Sequence, residues 1–116
     1  MSILPEEKYL SQEEVFTAFK NQLIKDANTG GITLNEQFIT KNLQSNIRYF
    51  ADIIKCISDT ANGFEKIQRW LYRVDVPESF LKQKLQQSNN TDYYHTIAEL
   101  IIKRTLQKIV TRYLYK

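Results

Sequence analysis

The single histidine and the single cysteine of the 116-residue chain are its first candidates for chemistry. An imidazole that binds a metal or moves a proton needs nearby His, Cys or carboxylate groups, and no such spacing surrounds His95, which stands beside Tyr93 and Tyr94. Cys56 falls near the C-terminal end of a predicted helix, where the helix dipole disfavours a thiolate nucleophile. We therefore expect His95 to be a partly exposed helical residue and Cys56 to be a small, buried apolar one.

The glycine pair and the paired carboxylates fit structural roles. Gly30-Gly31 lacks the Gly-Lys-Ser/Thr that completes a phosphate-binding loop and lies between two predicted helices, so it predicts a helix stop. Glu6-Glu7 and Glu13-Glu14 lie near predicted helix starts, where carboxylates complement the helix dipole. We therefore predict no catalytic residue, no metal ligand, no cofactor and no small-molecule ligand, and we expect the protein not to be an enzyme.

The basic residues concentrate in the second half of the chain and follow helical spacing. Residues 1–62 carry six Lys/Arg against eight Asp/Glu, whereas residues 63–116 carry ten against five. Two rows account for most of this excess: Lys66, Arg69 and Arg73 on one predicted helix, and Arg104, Lys108 and Arg112, with Lys116 after them, on another. If these helices lie side by side, the rows form one positive surface for an acidic partner or a nucleic acid. A solvated helix face explains the same rows equally well.

The elements that position these residues are predicted to be helices. Apolar residues recur at intervals of three and four, and Gly, Pro and a Gln/Ser/Asn tract over residues 86–90 separate the periodic segments. We predict an all-α fold: a compact bundle of four to five helices, with long second and fifth helices and two short helices between them. A single domain should cover residues 1–116, with residues 1–10 forming either a flexible arm or one short turn.

The second predicted helix carries more apolar surface than one stripe. Thr33 and Glu36 have the spacing of a capping box, and the pattern continues from Leu34 to Ser58, about 37 Å at 1.5 Å per residue. Beside the main stripe runs a sparser seam, formed by Phe38, Tyr49 and Cys56. A helix with apolar groups on two arcs is usually packed on two sides, so this seam is a candidate partner surface.

The remaining helices have recognisable ends. Ser11 and Glu14 form a second capping-box pattern at the start of the first helix. The break at Pro77 separates two short helices, the second of which should turn Phe80 and its apolar neighbours inward. The long fifth helix should begin at Thr91 or Asp92. On the third helix, Trp70 and Tyr72 flank the basic row and form a second candidate partner surface.

Composition limits the location and function of the protein. The N-terminus has no basic leader or apolar run typical of a secretory signal, no segment is apolar enough to span a membrane, and one cysteine permits no intrachain disulfide. These features favour the cytoplasm. We expect a regulator, adaptor or accessory subunit that self-associates or binds a protein partner. The alternative is a small nucleic-acid-binding protein that uses the two basic rows.

Overall fold

The computed structural model describes residues 5–87 and 92–115, and most of them are helical. The five α-helices are α1 (Glu13–Thr29), α2 (Leu43–Ser58), α3 (Gly63–Val74), α4 (Glu78–Gln87) and α5 (Tyr93–Leu114). Two 3-10 helices, Pro5–Ser11 and Glu36–Phe38, precede α1 and α2. The described ranges contain no strand, so the predicted all-α bundle of four to five helices is confirmed.

The helix at the centre of the bundle is α5. It packs most extensively against α2 and also contacts α1, α3, α4 and the N-terminal 3-10 helix. Its buried residues continue at helical spacing through both halves of the helix: Thr96, Ile97, Ala98, Ile101, Ile102, Thr105, Leu106, Ile109 and Val110. Asp92 caps α5, because its carboxylate accepts a hydrogen bond from the Tyr94 N–H at 2.8 Å. The predicted start is therefore correct for Asp92, while Thr91 lies outside the described residues.

The third helix is fixed against α2 by a close backbone approach and a ring contact. A Cβ on Gly63 would lie 1.8 Å from the carbonyl oxygen of Ile57, so α3 can begin this close to the end of α2 because residue 63 has no side chain. Further along, the Trp70 and Phe50 rings pack with their centroids 5.2 Å apart. Both rings are fully buried, and they join the two helices inside the core.

The predicted start of the second helix is wrong, because asparagine side chains capture the preceding backbone. Asn46 accepts from the Thr40 N–H and donates to the Thr40 carbonyl, both at 2.8 Å. The Asn42 carboxamide caps α2 by accepting from the Ser45 N–H at 2.9 Å. Short polar side chains of this kind compete with main-chain helical hydrogen bonds. Consequently α2 begins at Leu43 and not near Leu34.

The start of the first helix also differs from its prediction. Ser11 does not cap α1; its hydroxyl donates to the Lys8 carbonyl at 3.0 Å and closes the N-terminal 3-10 helix. Leu10 is buried in the core as part of the 3-10 helix Pro5–Ser11, and residues 1–4 lie outside the described part. As predicted, the glycine pair ends α1, and Gly31 adopts a φ of +83°.

An ion pair joins α1 to the extended segment before α2. The Lys41 ammonium donates to the Glu13 carboxylate at the start of α1. This hydrogen bond, reinforced by the charge of Lys41, lowers the pKa of Glu13 below its ordinary value. The segment over residues 39–42 is thus tied to α2 by Asn46 and to α1 by Lys41.

We predict that Asn46→Ala lowers the free energy of unfolding by about 2 kcal/mol. The substitution removes a fully buried carboxamide and with it both hydrogen bonds to the Thr40 backbone. Urea denaturation followed by circular dichroism measures the change. The matched control is Arg48→Ala, at an exposed position of the same helix, which should change the value by less than about 0.5 kcal/mol. Equal effects of the two substitutions would contradict the role given to Asn46.

Candidate partner-binding surface

The least covered helix of the bundle is α4. Leu81 and Leu85 are half-buried and Phe80 is exposed. None of the side chains described on this helix is fully buried. The predicted inward orientation of Phe80 is therefore wrong. The helix packs mainly against α5, whose own apolar residues already face α2 and α1, so α4 is left at the edge of the core.

An apolar depression of about 370 Å³ lies between α3 and α4, and we call it the aromatic groove. Phe64 and Tyr72 of α3 line it while remaining 60% and 81% exposed. Its other walls come from α3, α4, their connection and the start of α5: Ile67, Gln68, Leu71, Val76, Pro77, Glu78, Leu81, Lys82, Leu85 and Tyr93. Large aromatic side chains in this concave, mainly apolar setting are typical of binding surfaces.

Tyr93, the first residue of α5, forms one end of this groove. Burial raises the pKa of the Tyr93 phenol above its ordinary value, and the neighbouring Tyr94 adds a smaller effect in the same direction. The two rings are in edge contact, with centroids 5.6 Å apart. The surroundings of Tyr93 therefore disfavour the phenolate form of this side chain.

A second depression, the basic cleft, lies on the other side of α4 against α5 and has a volume of about 530 Å³. Lys84 of α4 and Lys103 and Arg104 of α5 line it, together with two carboxylates and an apolar floor: Asp75, Glu99, Val76, Pro77, Phe80 and Leu100. The sequence pattern identified Arg104 but missed both lysines. Lys84 could have been found only by knowing that α4 packs beside α5, because the two helices belong to separate segments of the chain.

The basic row on α5 does not remain one open surface. Residues four apart advance by about 40° around a helix, so the members of the row do not share one environment. Lys108 is 20% exposed at its side chain and forms an ion pair with Asp75 at 3.2 Å. Arg104 is half-buried, Arg112 is exposed and Lys116 lies outside the described residues.

The basic row on α3 is more accessible. Arg69 and Arg73 are exposed, whereas Lys66 is half-buried and lines a separate depression described next. Lys108 of the α5 row forms an ion pair with Asp75, the residue that follows α3. The α5 row therefore lies beside the end of α3.

The three residues of the predicted seam lie together, although they do not share one helix. Phe38 comes from the second 3-10 helix and packs on Tyr49 of α2, with ring centroids 5.2 Å apart. The Tyr49 hydroxyl accepts from the Asn35 N–H at 2.9 Å. Both rings and Cys56 line a depression of about 450 Å³, the α2 groove. Cys56 is exposed there, so its predicted burial is wrong; it lies outside the buried stripe that α2 presents to α5.

Trp70 is not available as a partner contact, which corrects the prediction for this residue. Its ring is fully buried against Phe50, on the core stripe of α3 that also includes Ile67 and Val74. The indole Nε1 is buried with no hydrogen-bond partner within the described part of the protein. Of the predicted pair on α3, Tyr72 therefore remains on the surface and Trp70 belongs to the core.

The remaining candidates for chemistry stay dispersed. His95 is half-buried on α5, and residues 5–87 and 92–115 contain no group of three His, Cys, Asp or Glu side chains placed to hold a metal ion. Among the described helices, none has the length and apolar character needed to cross a bilayer. No protein-family model, curated protein or solved structure matches the chain.

Trp70, the chain's single tryptophan, tests the division between core and surface. We predict blue-shifted fluorescence emission and weak quenching by acrylamide, because the indole is fully enclosed. The matched control is the double variant Trp70→Phe/Tyr72→Trp, which moves the indole to an exposed position and should give red-shifted, strongly quenched emission. Equal quenching in the two proteins would show that Trp70 is not enclosed.

Proposed function

We propose that this protein is a non-catalytic helical interaction module, serving as a regulator, an adaptor or an accessory subunit, and that it binds a protein partner over the aromatic groove. The observation that carries the proposal is the exposure of Phe64 and Tyr72 beside a concave apolar surface. Aromatic side chains are enriched at protein interfaces, and those that enter pockets often dominate the binding energy.

The energetic argument favours a partner that covers both rings. Removing about 100 Å² of apolar surface per ring from water would contribute about 2.5 kcal/mol for each ring. Two such contributions offset a substantial part of the entropy lost on association. The half-buried Leu81 and Leu85 lie in the same groove and add further apolar surface.

The α2 groove is a second candidate surface, suited to self-association. Phe38 is 56% exposed, and the accessible thiol of Cys56 lies in the same depression. Contact between two copies through this groove would cover the apolar surface that the seam residues share. We expect a cytoplasmic location, where the exposed Cys56 thiol would stay reduced.

Nucleic-acid binding is the alternative function, and the exposure of Arg69, Arg73 and Arg112 favours it. Three to five phosphate contacts drawn from the two rows would give modest, salt-sensitive binding. The ion pair between Lys108 and Asp75 weakens this alternative, because it already neutralises one member of the α5 row.

Photo-crosslinking from a benzoylphenylalanine placed at position 72 tests the protein-binding proposal. In nuclease-treated native lysate, we expect position 72 to give a discrete crosslinked protein species, because Tyr72 lies at the edge of the aromatic groove. Placing the same group at position 38 tests self-association, for which the crosslinked product would be a dimer of this chain.

Position 115 provides the matched control, since Tyr115 is as exposed as Tyr72 but does not line the aromatic groove. We expect no enriched species from this position. Indistinguishable products from positions 72 and 115 would refute the assignment of the groove as the binding surface, and light scattering that gives a strict monomer would refute self-association.

The nucleic-acid alternative predicts an affinity for single- or double-stranded DNA or RNA that falls as salt rises. A titration at two salt concentrations, with the wild type and the Arg69→Glu/Arg104→Glu variant, measures it. If the protein shows no affinity at low salt, or if the double reversal leaves affinity unchanged, the basic rows are solvated helix faces and this alternative is wrong.

A further inference from the structure

The aromatic groove and the basic cleft are neighbouring depressions separated by α4. Glu78, Leu81, Lys82 and Leu85 face the groove, whereas Phe80 and Lys84 face the cleft. Val76 and Pro77, in the connection before α4, line both depressions. A partner that covers the groove at this end therefore continues over α4 into the cleft without leaving the surface.

The cleft carries an excess of positive charge. Lys84, Lys103 and Arg104 line it and Lys108 borders it through Asp75, so four cations surround the two carboxylates, Asp75 and Glu99. Both carboxylates are already engaged, Glu99 with Lys103 at 3.1 Å and Asp75 with Lys108 at 3.2 Å. Arg104 donates to the amide oxygen of Gln107 at 3.3 Å. Because this amide is neutral, the contact does not compensate the positive charge of Arg104.

The floor of the cleft is apolar, so the charge surrounds a hydrophobic surface. Leu100 is half-buried and Phe80 is 42% exposed, with the Lys84 ammonium 5.5 Å from the centre of the Phe80 ring. Cations beside water-excluding surface attract an anionic group more strongly than cations in bulk water do. The cleft thus combines cations, which attract an acidic side chain, with an apolar surface, which packs against apolar side chains of the same segment.

We propose that the partner presents an acidic amphipathic helical segment, with its apolar side chains in the aromatic groove and its carboxylates in the basic cleft. The inference rests on the proposed protein-binding function and specifies the chemistry of the partner. The two depressions are separated by the width of α4, about 10 Å, so two to three turns of a bound helix lying across α4 cover both. Helix-in-groove recognition of this kind depends on apolar anchors at spacings of three and four.

Charge density favours a protein segment over a nucleic acid at this place. A duplex carries one negative charge per about 1.7 Å, a denser array than the few cations of the cleft can balance. A segment with two carboxylates matches the excess of two cations at the cleft. Its apolar face also covers Phe64 and Tyr72, for which a phosphate backbone offers no apolar counterpart.

Two labelled peptide probes test the proposal by fluorescence anisotropy. Both are helical, about 16 residues long, with the same Leu/Phe face; one carries Glu on its polar face and the other carries Lys. We expect the Glu peptide to bind about tenfold or more tightly than the Lys peptide, with an affinity that falls as salt rises.

Charge-reversal variants locate the binding. Arg104→Glu and Lys84→Glu should each weaken the Glu peptide about tenfold, and the milder Arg104→Gln should weaken it less. Arg69→Glu is the matched control, because it makes the same charge change at an exposed position of α3 outside both depressions; it should alter affinity less than about twofold. Circular dichroism confirms that each variant folds.

The outcomes separate this inference from the proposed function. Equal binding of the two peptides, no binding of the Glu peptide, or equal effects of Arg104→Glu and Arg69→Glu would overturn the acidic-partner inference. If Phe64→Ser abolishes crosslinking from position 72 to the native partner while Arg104→Glu leaves it intact, the function stands and the inference fails. If Phe64→Ser leaves that crosslinking intact, the proposed function fails. Preferential binding of a nucleic acid that Arg104→Glu abolishes would also overturn the inference.

Discussion

The burial of α5 on several sides constrains where every other helix can lie. Its buried residues run from Thr96 to Val110 and occupy more than one arc, so no single neighbour can cover them. The largest share is covered by α2, and α1, α3 and the N-terminal 3-10 helix take much of the rest. Burial of apolar surface drives packing, and in this protein that burial is organised around one helix.

The position of α4 follows from this arrangement. Other elements cover the main faces of α5, and the ten residues of α4 pack at the edge with Leu81 and Leu85 half-buried. A depression lies on each side of α4, the aromatic groove against α3 and the basic cleft against α5. The aromatic groove and the basic cleft are consequences of incomplete coverage, and the partner-binding proposal depends on them.

Charge is distributed by the same packing. On α5, Lys108 pairs with Asp75 at the end of α3, so one member of the basic row is already engaged within the protein. Lys84 and Lys103 instead come together with Arg104 across the α4–α5 interface. A polarised sequence thus becomes a localised positive cleft beside an apolar groove, and this combination favours an acidic, amphipathic partner over a bare polyanion.

Local sequence was sufficient for features whose cause lies within one turn of chain. The helical period, the glycine stop after α1, the break at Pro77 and the Asp92 cap were predicted because each depends on neighbouring residues. The Asn42 cap is also a local feature, but it was not predicted. The apolar residues continue at helical spacing on both sides of it, so the pattern gave no sign that the helix begins only at Leu43. Asn46 made that interruption stable by binding the Thr40 backbone six residues away, a contact that a periodicity argument does not contain.

Tertiary structure decided which apolar and charged residues would remain at the surface. Trp70 and Tyr72 are two positions apart, yet the ring of Phe50 encloses one while the other stays in solvent. The seam of Phe38, Tyr49 and Cys56 was predicted as a set but is assembled from two elements. The sequence by itself determined the helices and the polarity of charge, since both follow from residue types and spacing. Only packing determined the groove and the cleft, because the exposure of a side chain depends on neighbours that the chain brings from distant positions.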